Sequence, residues 1–285
     1  MNASDIIFPH LGIDIKNLNP QVFDLFGVTV YWYGLIIAMG ILAGLLIAQN
    51  EAKRTNQDPN IYIDFLMYAL IASVIGARLY YVIFSWEEYR HNLSKIFSLR
   101  EGGLAIYGVI IASIITLVIY TKKKKLSFFV LADTASLGLL AGQAIGRWGN
   151  FVNREAFGGY TESLFAMMIK KSDVNYIPLE LMDTIKIIDG VEYLQVQPTF
   201  LYESLWNIGL LLFLLYWRKK KKFTGEIFAF YILGYALGRF WIEGLRTDQL
   251  LIYGTAIPIS QVIALISATL ALVFIVFMRK KSYNT

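Results

Sequence analysis

Residues 146–159, GRWGNFVNREAFGG, close a long apolar run with Arg147, Asn150, Asn153, Arg154 and Glu155. A later apolar run carries Tyr235, Arg239 and Glu243 at i, i+4 and i+8, so one helical face would hold all three as a polar stripe, with Arg246 just beyond it. An ion pair between Arg239 and Glu243 is the structural reading of that stripe. A second arginine at the same level is more than one glutamate requires. It points to an anionic ligand, because guanidinium groups match a phosphate through paired hydrogen bonds.

The elements that must hold these groups are membrane helices. Mean hydropathy is +0.53, 56% of the 285 residues are hydrophobic and only 16% are charged. Crossing the hydrocarbon core takes about 20 mostly apolar residues. Seven such windows are present, at 27–49, 61–84, 103–121, 126–147, 198–217, 225–245 and 256–278. The expected fold is therefore an all-α integral membrane protein of about seven transmembrane helices, one multi-pass domain over residues 1–285. Residues 150–197 should form a small external cap of short β-prone runs broken at Asp189-Gly190. The segment SWEEYRHNLSKIFSLREGG reads as an amphipathic helix lying in the outer interface. The first 25 residues, with Asp5, His10, Asp14 and Lys16, lack the pattern of a removable signal peptide.

The net charge of +5 marks topology rather than nucleic acid as a partner. Lys53 and Arg54, Lys122 to Lys125, Arg218 to Lys222 and Arg279 to Lys281 follow alternate helices. The positive-inside rule then puts the N-terminus outside and the C-terminus in the cytoplasm. There is no cysteine, which excludes disulfides, thiolate metal sites and a thioester carried by the chain itself. His10 and His91 read as ordinary surface residues, and neither a metal nor another cofactor is expected.

With helix directions fixed, the unusual polar residues fall at one depth: Tyr33, Arg78, Arg147, Asn150, Glu203, Tyr235, Arg239, Glu243 and Arg246 all lie in the outer half of the bilayer. Ionisable groups there cost about 2.5–3.5 kcal/mol each on the insertion scale, so they face a cavity or one another. Some have plainer readings. Tyr31 and Trp32 suit an aromatic belt, Arg78 could snorkel, Asp64 sits near an edge and Asp133 should pair with a neighbouring helix. Gly138, Gly142 and Gly146, four residues apart, suit close helix packing better than a phosphate loop.

Taken together these residues resemble the bacterial prolipoprotein diacylglyceryl transferases over essentially the whole chain. GRWGNFVNREAFG is similar to that family's signature, and Trp32-Tyr33-Gly34-Leu35, Gly76-Ala77-Arg78 with Tyr81, Gly102-Gly103-Leu104, Asp133, Leu201-Tyr202-Glu203 and Gly234-Tyr235 through Arg246 also match. The resemblance implies transfer of diacylglycerol from phosphatidylglycerol to the lipobox cysteine of a prolipoprotein signal peptide in the bacterial cell membrane, with release of glycerol phosphate. It implies catalytic roles for Tyr107, Arg147 and Arg239. Substrate binding would fall to Tyr33, Arg78, Asn150, Asn153, Glu155, Gly158, Tyr235, Glu243 and Arg246, with Glu155 and Glu243 fixing guanidinium orientation. The chain departs from the pattern at Tyr107-Gly108-Val109, where the family usually has His-Gly-Gly and that histidine is a favoured base, and at Gln197-Pro198-Thr199-Phe200-Leu201-Tyr202-Glu203, where the family's Pro-x-Gln-Leu-Tyr-Glu stretch is commonly preceded by histidine. A transporter or binding protein for an anionic lipid or metabolite is the alternative, but no helix is broken by paired Gly or Pro at its middle and no inverted repeat is visible. A metal-dependent phosphatidyl transferase would need clustered aspartates, which the sequence lacks.

Overall fold

The computed structural model describes residues 4–98 and 102–283. Among the described residues seven long helices carry the fold: α1 (Trp32–Arg54), α2 (Asn60–Phe84), α4 (Ile106–Lys124), α5 (Phe128–Asn153), α7 (Thr199–Trp217), α8 (Glu226–Glu243) and α9 (Ile259–Tyr283). The helices α3 (Trp86–Tyr89) and α6 (Leu179–Met182) are single turns. The strands are β1 (Ile6–Phe8), β2 (Ile13–Ile15), β3 (Gln21–Leu25), β4 (Val28–Tyr31), β5 (Met167–Lys170), β6 (Ile185–Ile188) and β7 (Val191–Val196). Six of the long helices, all but α8, are long and apolar enough to cross a membrane. The seven expected spans are thus six by length and composition, because the 18 residues of α8 include Glu226, Arg239 and Glu243.

The chain divides into two compact units, Met1–Gly44 with Ser136–Thr285, and Leu45–Ala135. In the first, β2-β1-β5-β7-β6 form an antiparallel sheet, and β6 and β7 turn at Asp189 and Gly190, both at positive φ. Its core is Ile6, Phe8, Phe157, Met167, Ile169, Leu181, Leu194, Val196 and Phe200. Burying a side chain of that kind contributes about 1.5–3 kcal/mol. The cap expected at 150–197 therefore also takes in the N-terminal strands: β5 has a second edge to satisfy, and β1 fills it with Ile6 opposite Ile169 and Ile7 opposite Met168.

The same unit explains the glycine spacing. A Cβ on Gly44 would meet the Gly138 carbonyl at 2.7 Å and one on Gly40 the Gly142 carbonyl at 3.0 Å, so α1 and α5 cross backbone to backbone. The apolar window expected from residue 27 is not all helix. Val28-Thr29-Val30-Tyr31 is β-branched and aromatic, pairs with β3 as a two-stranded sheet, and leaves α1 to start at Trp32.

In the second unit α2 packs on α4, and Gly76 and Gly108 meet with no room for a Cβ on either. Ala48, Ala52, Tyr62, Tyr120 and Leu131 form its core. The expected interfacial helix between α2 and α4 is instead α3 followed by a 3-10 turn at Leu93–Phe97, with residues 99–101 of that stretch outside the described ones. A continuous helix would tie up the backbone carbonyls that accept from Arg78.

Candidate active site

The last two turns of α5 carry Arg147 and Asn150, Glu203 lies one turn into α7, and Arg239 and Glu243 lie near the end of α8. Glu203 is the hub. Its side chain pairs with Nε of Arg147 at 2.5 Å and with Nη1 of Arg239 at 2.8 Å, while Nη1 of Arg246 stands 3.8 Å away. Arg239 also closes the i, i+4 ion pair with Glu243, and Arg246 lies 4.0 Å from the same carboxylate. Both glutamates are buried, at 5% and 2% exposure, as a carboxylate in an apolar helix must be unless it is paired. Three guanidiniums against two buried carboxylates leave one excess positive charge. Asp248, on the exposed side, offsets it by gripping Arg246 with two hydrogen bonds of 2.9 and 2.8 Å. Burial opposes the charge on Arg246, but Asp248, then Glu203 and Glu243, outweigh that and hold its pKa above the ordinary arginine value.

The signature segment positions this group through its backbone. Arg154 and Ala156 both adopt positive φ, which turns the chain sharply out of α5. Arg154 is thereby buried in the cap, donating to the Leu18 carbonyl at 2.6 Å and lying 3.5 Å from Asp173 and 3.8 Å from Asp5, away from Arg147. Asn150 Oδ1 accepts from Arg147 at 3.4 Å and its Nδ2 donates to Glu155 at 2.9 Å, with Asn153 donating to the same oxygen at 3.4 Å. Glu155, expected to fix a guanidinium, is held by two amides instead. Gly158 acts as a strap: its N–H donates to Gln197, it bridges to Arg246, and a Cβ there would meet the Leu245 carbonyl at 2.8 Å. The Tyr33 ring lies against Gly149, and Tyr235 lines a small cavity with Glu203, Trp206, Arg239 and Gly238.

Arg78, expected to bind substrate, is spent elsewhere. Its Nε donates to Ile96, Nη1 to Gly102 and Gly103, and Nη2 to Lys95 and Ser98, all backbone carbonyls. All five N–H donors are used, so none is left for a ligand. Tyr107 belongs to the same unit, half-buried in the first turn of α4 with its ring 6.2 Å from that of Tyr80. Two residues to which the sequence assigns no binding or catalytic role are central to the site. One is Glu203, whose signal was a lone acid in an apolar helix, and the other is Asp248.

The family description of prolipoprotein diacylglyceryl transferase matches residues 20–277. A phosphatidylglycerol–prolipoprotein diacylglyceryl transferase of Listeria welshimeri is 41% identical over 271 residues, 95% of this chain and 94% of the relative. Proteins of the same description from Clostridioides difficile, at 42% over 92% of this chain and 96% of the relative, and from Clostridium botulinum, at 43% over 93% and 98%, are comparably similar.

Proposed function

The chain belongs to the prolipoprotein diacylglyceryl transferase family, and we propose that it moves the diacylglyceryl group of phosphatidylglycerol to the lipobox cysteine of a prolipoprotein in the bacterial cell membrane. The observation that carries this reading into the site is the Arg147, Arg239 and Arg246 group, whose one charge beyond its two buried carboxylates is met only by Asp248 on the exposed side, where a ligand's anion could take its place. A phosphodiester supplies one negative charge.

The cysteine thiolate attacks the glycerol carbon that bears the phosphate. A C–S bond forms, the C–O bond breaks with its electron pair, and glycerol phosphate leaves. Charge on the phosphate grows along that path, so an arginine near it stabilises the transition state more than the ground state. Among the described residues Nη2 of Arg147 and Nε of Arg239 take no protein partner, and these are the donors we assign to the phosphate. Glu203 holds both guanidiniums in one orientation, and Asn150, itself held by Glu155, steadies Arg147 from the other side. The thiol, with an unperturbed pKa near 8.5, must lose its proton, and the same positive field favours the thiolate. Tyr107 is assigned to orienting the thiol or relaying that proton, with Glu155 or Glu243 as the alternative acceptor. Full activity in Tyr107→Phe removes the phenol from the mechanism. The basic ends of α1, α4 and α9 and the run after α7 support a cytoplasmic C-terminus, with the reaction at the opposite face.

The test uses purified protein with phosphatidylglycerol and a peptide bearing a lipobox cysteine. A diacylglyceryl gain in peptide mass together with released glycerol phosphate, lost in Arg147→Ala and Arg239→Ala, is expected. Lipid binding without either product would overturn the transferase reading in favour of anionic-lipid binding or transport.

A further inference from the structure

The hairpin of β3 and β4 stands apart from the five-stranded sheet as a separate two-stranded one. Its register sets Phe23 opposite Val30 and Leu25 opposite Val28 on one face, and Asp24 opposite Thr29 on the other. The Thr29 hydroxyl donates to Asp24 at 2.6 Å, which completes a polar face. The apolar face is left uncovered: Phe23, Leu25 and Val28 are all exposed. A lone two-stranded hairpin is marginal in water and needs a third strand or an apolar surface to rest on.

The turn adds an independent observation. Phe26 and Gly27 lie at φ 48° and 77°, the two left-handed positions of a two-residue turn for which Asn-Gly or Asp-Gly is the usual choice. The chain uses that choice at Asp189-Gly190. Here it puts a phenylalanine in a backbone region that its side chain disfavours, and leaves it 98% exposed. Neither folding nor solubility gains from that residue, so something outside the chain must receive it.

What lies next to the hairpin identifies the receiver. β4 runs directly into α1 through Tyr31, Trp32 and Tyr33, all exposed and of the types that mark the headgroup level of a bilayer. The backbone N–H of Trp32 donates to the Pro20 carbonyl at 2.9 Å, tying the base of the hairpin to the first residue of that membrane helix. We propose that the β3–β4 hairpin is an interfacial lipid anchor, lying in the leaflet where α1 begins with Phe23, Leu25 and Val28 toward the acyl chains and Phe26 inserted as its tip. This goes beyond the transferase reading and does not depend on it.

The absence of cysteine makes the test direct, since any introduced thiol is a unique labelling site. Single cysteines at Phe26, Val28, Asp24 and, in the cap turn, Asp189 would be labelled with an environment-sensitive fluorophore in nanodiscs holding one chain each. Labels at 26 and 28 should be quenched at least threefold more by lipids carrying a nitroxide on the acyl chain than those at 24 and 189, and less by aqueous iodide. Equal iodide quenching at 26 and 189 would overturn the proposal. So would shielding at 26 that appears only with two chains per disc, or only on adding a lipobox peptide, because the receiver would then be a second copy or the substrate. Phe26→Asn relieves the turn, so the variant should fold at least as well as wild type while the label at 28 loses most of its lipid quenching. Unchanged quenching at 28 in a folded Phe26→Asn protein would remove Phe26 as the anchor.

Discussion

Arg78 and the Arg147, Arg239 and Arg246 group are all arginines belonging to or just beyond apolar helices, and they differ in the kind of partner they have. Arg78 gives every N–H to a backbone carbonyl of the segment after α3. The other three face carboxylates and keep donors in reserve. Carbonyls are neutral and fixed in the chain, so Arg78 is a fastener whose charge is spread over five dipoles. Carboxylates orient a guanidinium through part of its fork and leave a donor free, Nη2 in Arg147 and Nε in Arg239, which suits a ligand that arrives and leaves. Among membrane arginines the partner, more than the burial, separates a structural group from a working one.

The largest effect should come from the working group. Arg239→Ala, in protein of normal thermal stability, is expected to lower kcat by about 10²–10³-fold, the usual loss when one donor to a developing negative charge is removed. Glu203→Gln should lower kcat as well, by releasing both guanidiniums. A normal rate in either variant would break the comparison on the catalytic side. On the other side, Arg78→Ala removes five charge-assisted hydrogen bonds to backbone carbonyls and should destabilise the protein by about 3 kcal/mol, seen as a lower unfolding midpoint. The fraction that stays folded should show nearly wild-type KM for phosphatidylglycerol. A raised KM at unchanged stability would return Arg78 to the substrate-binding set.

A smaller effect sharpens the boundary within the working group. Asp248 grips the guanidinium of Arg246 in the geometry that a phosphate would use, and it is the carboxylate of the group that solvent reaches. Asp248→Asn should therefore lower KM for phosphatidylglycerol and tighten inhibition by glycerol phosphate, each by about fivefold, the equivalent of an exposed ion pair near 1 kcal/mol. Steady-state kinetics with and without added product would read both. An unchanged KM would mean that Arg246 serves only Glu203 and Glu243.

The division between the two kinds of arginine was only half legible in the sequence. Most of the spans, the basic helix ends and the arginine and glutamate stripe of α8 are written in residue types and spacing, and they appear where expected, apart from the first window, whose start is a strand, and α8, too polar to count as a span. The sequence places Glu203 at the right depth but gives it no role, because its partners come from two other helices and no spacing along α7 announces them. The role of Arg78 had no signature at all, since its acceptors are carbonyls that every residue carries. β1 and β2 escaped for a related reason: three residues are too few to show a period, and only the open edge of β5 makes them strands.

The smallest effect concerns an ion pair of the same chemistry placed in water. Glu162 on the cap accepts from Lys186 at 2.8 Å and from the Tyr160 hydroxyl, and these contacts, Lys186 first, then Tyr160 and Gln195, hold its carboxyl down to about 2. A carboxyl with a depressed pKa contributes stability above its unfolded value, 4.5, and loses it as pH falls toward about 2. The gap in unfolding midpoint between wild type and Glu162→Gln should thus be present at pH 7, shrink steadily below about 4.5, and stay small throughout because solvent screens the pair. A gap that is independent of pH would assign the contribution to packing rather than charge. A gap as large as that of Arg78→Ala would mean that exposure does not weaken these pairs, and with it would go the premise that burial is what makes the partners of Arg147 and Arg239 consequential.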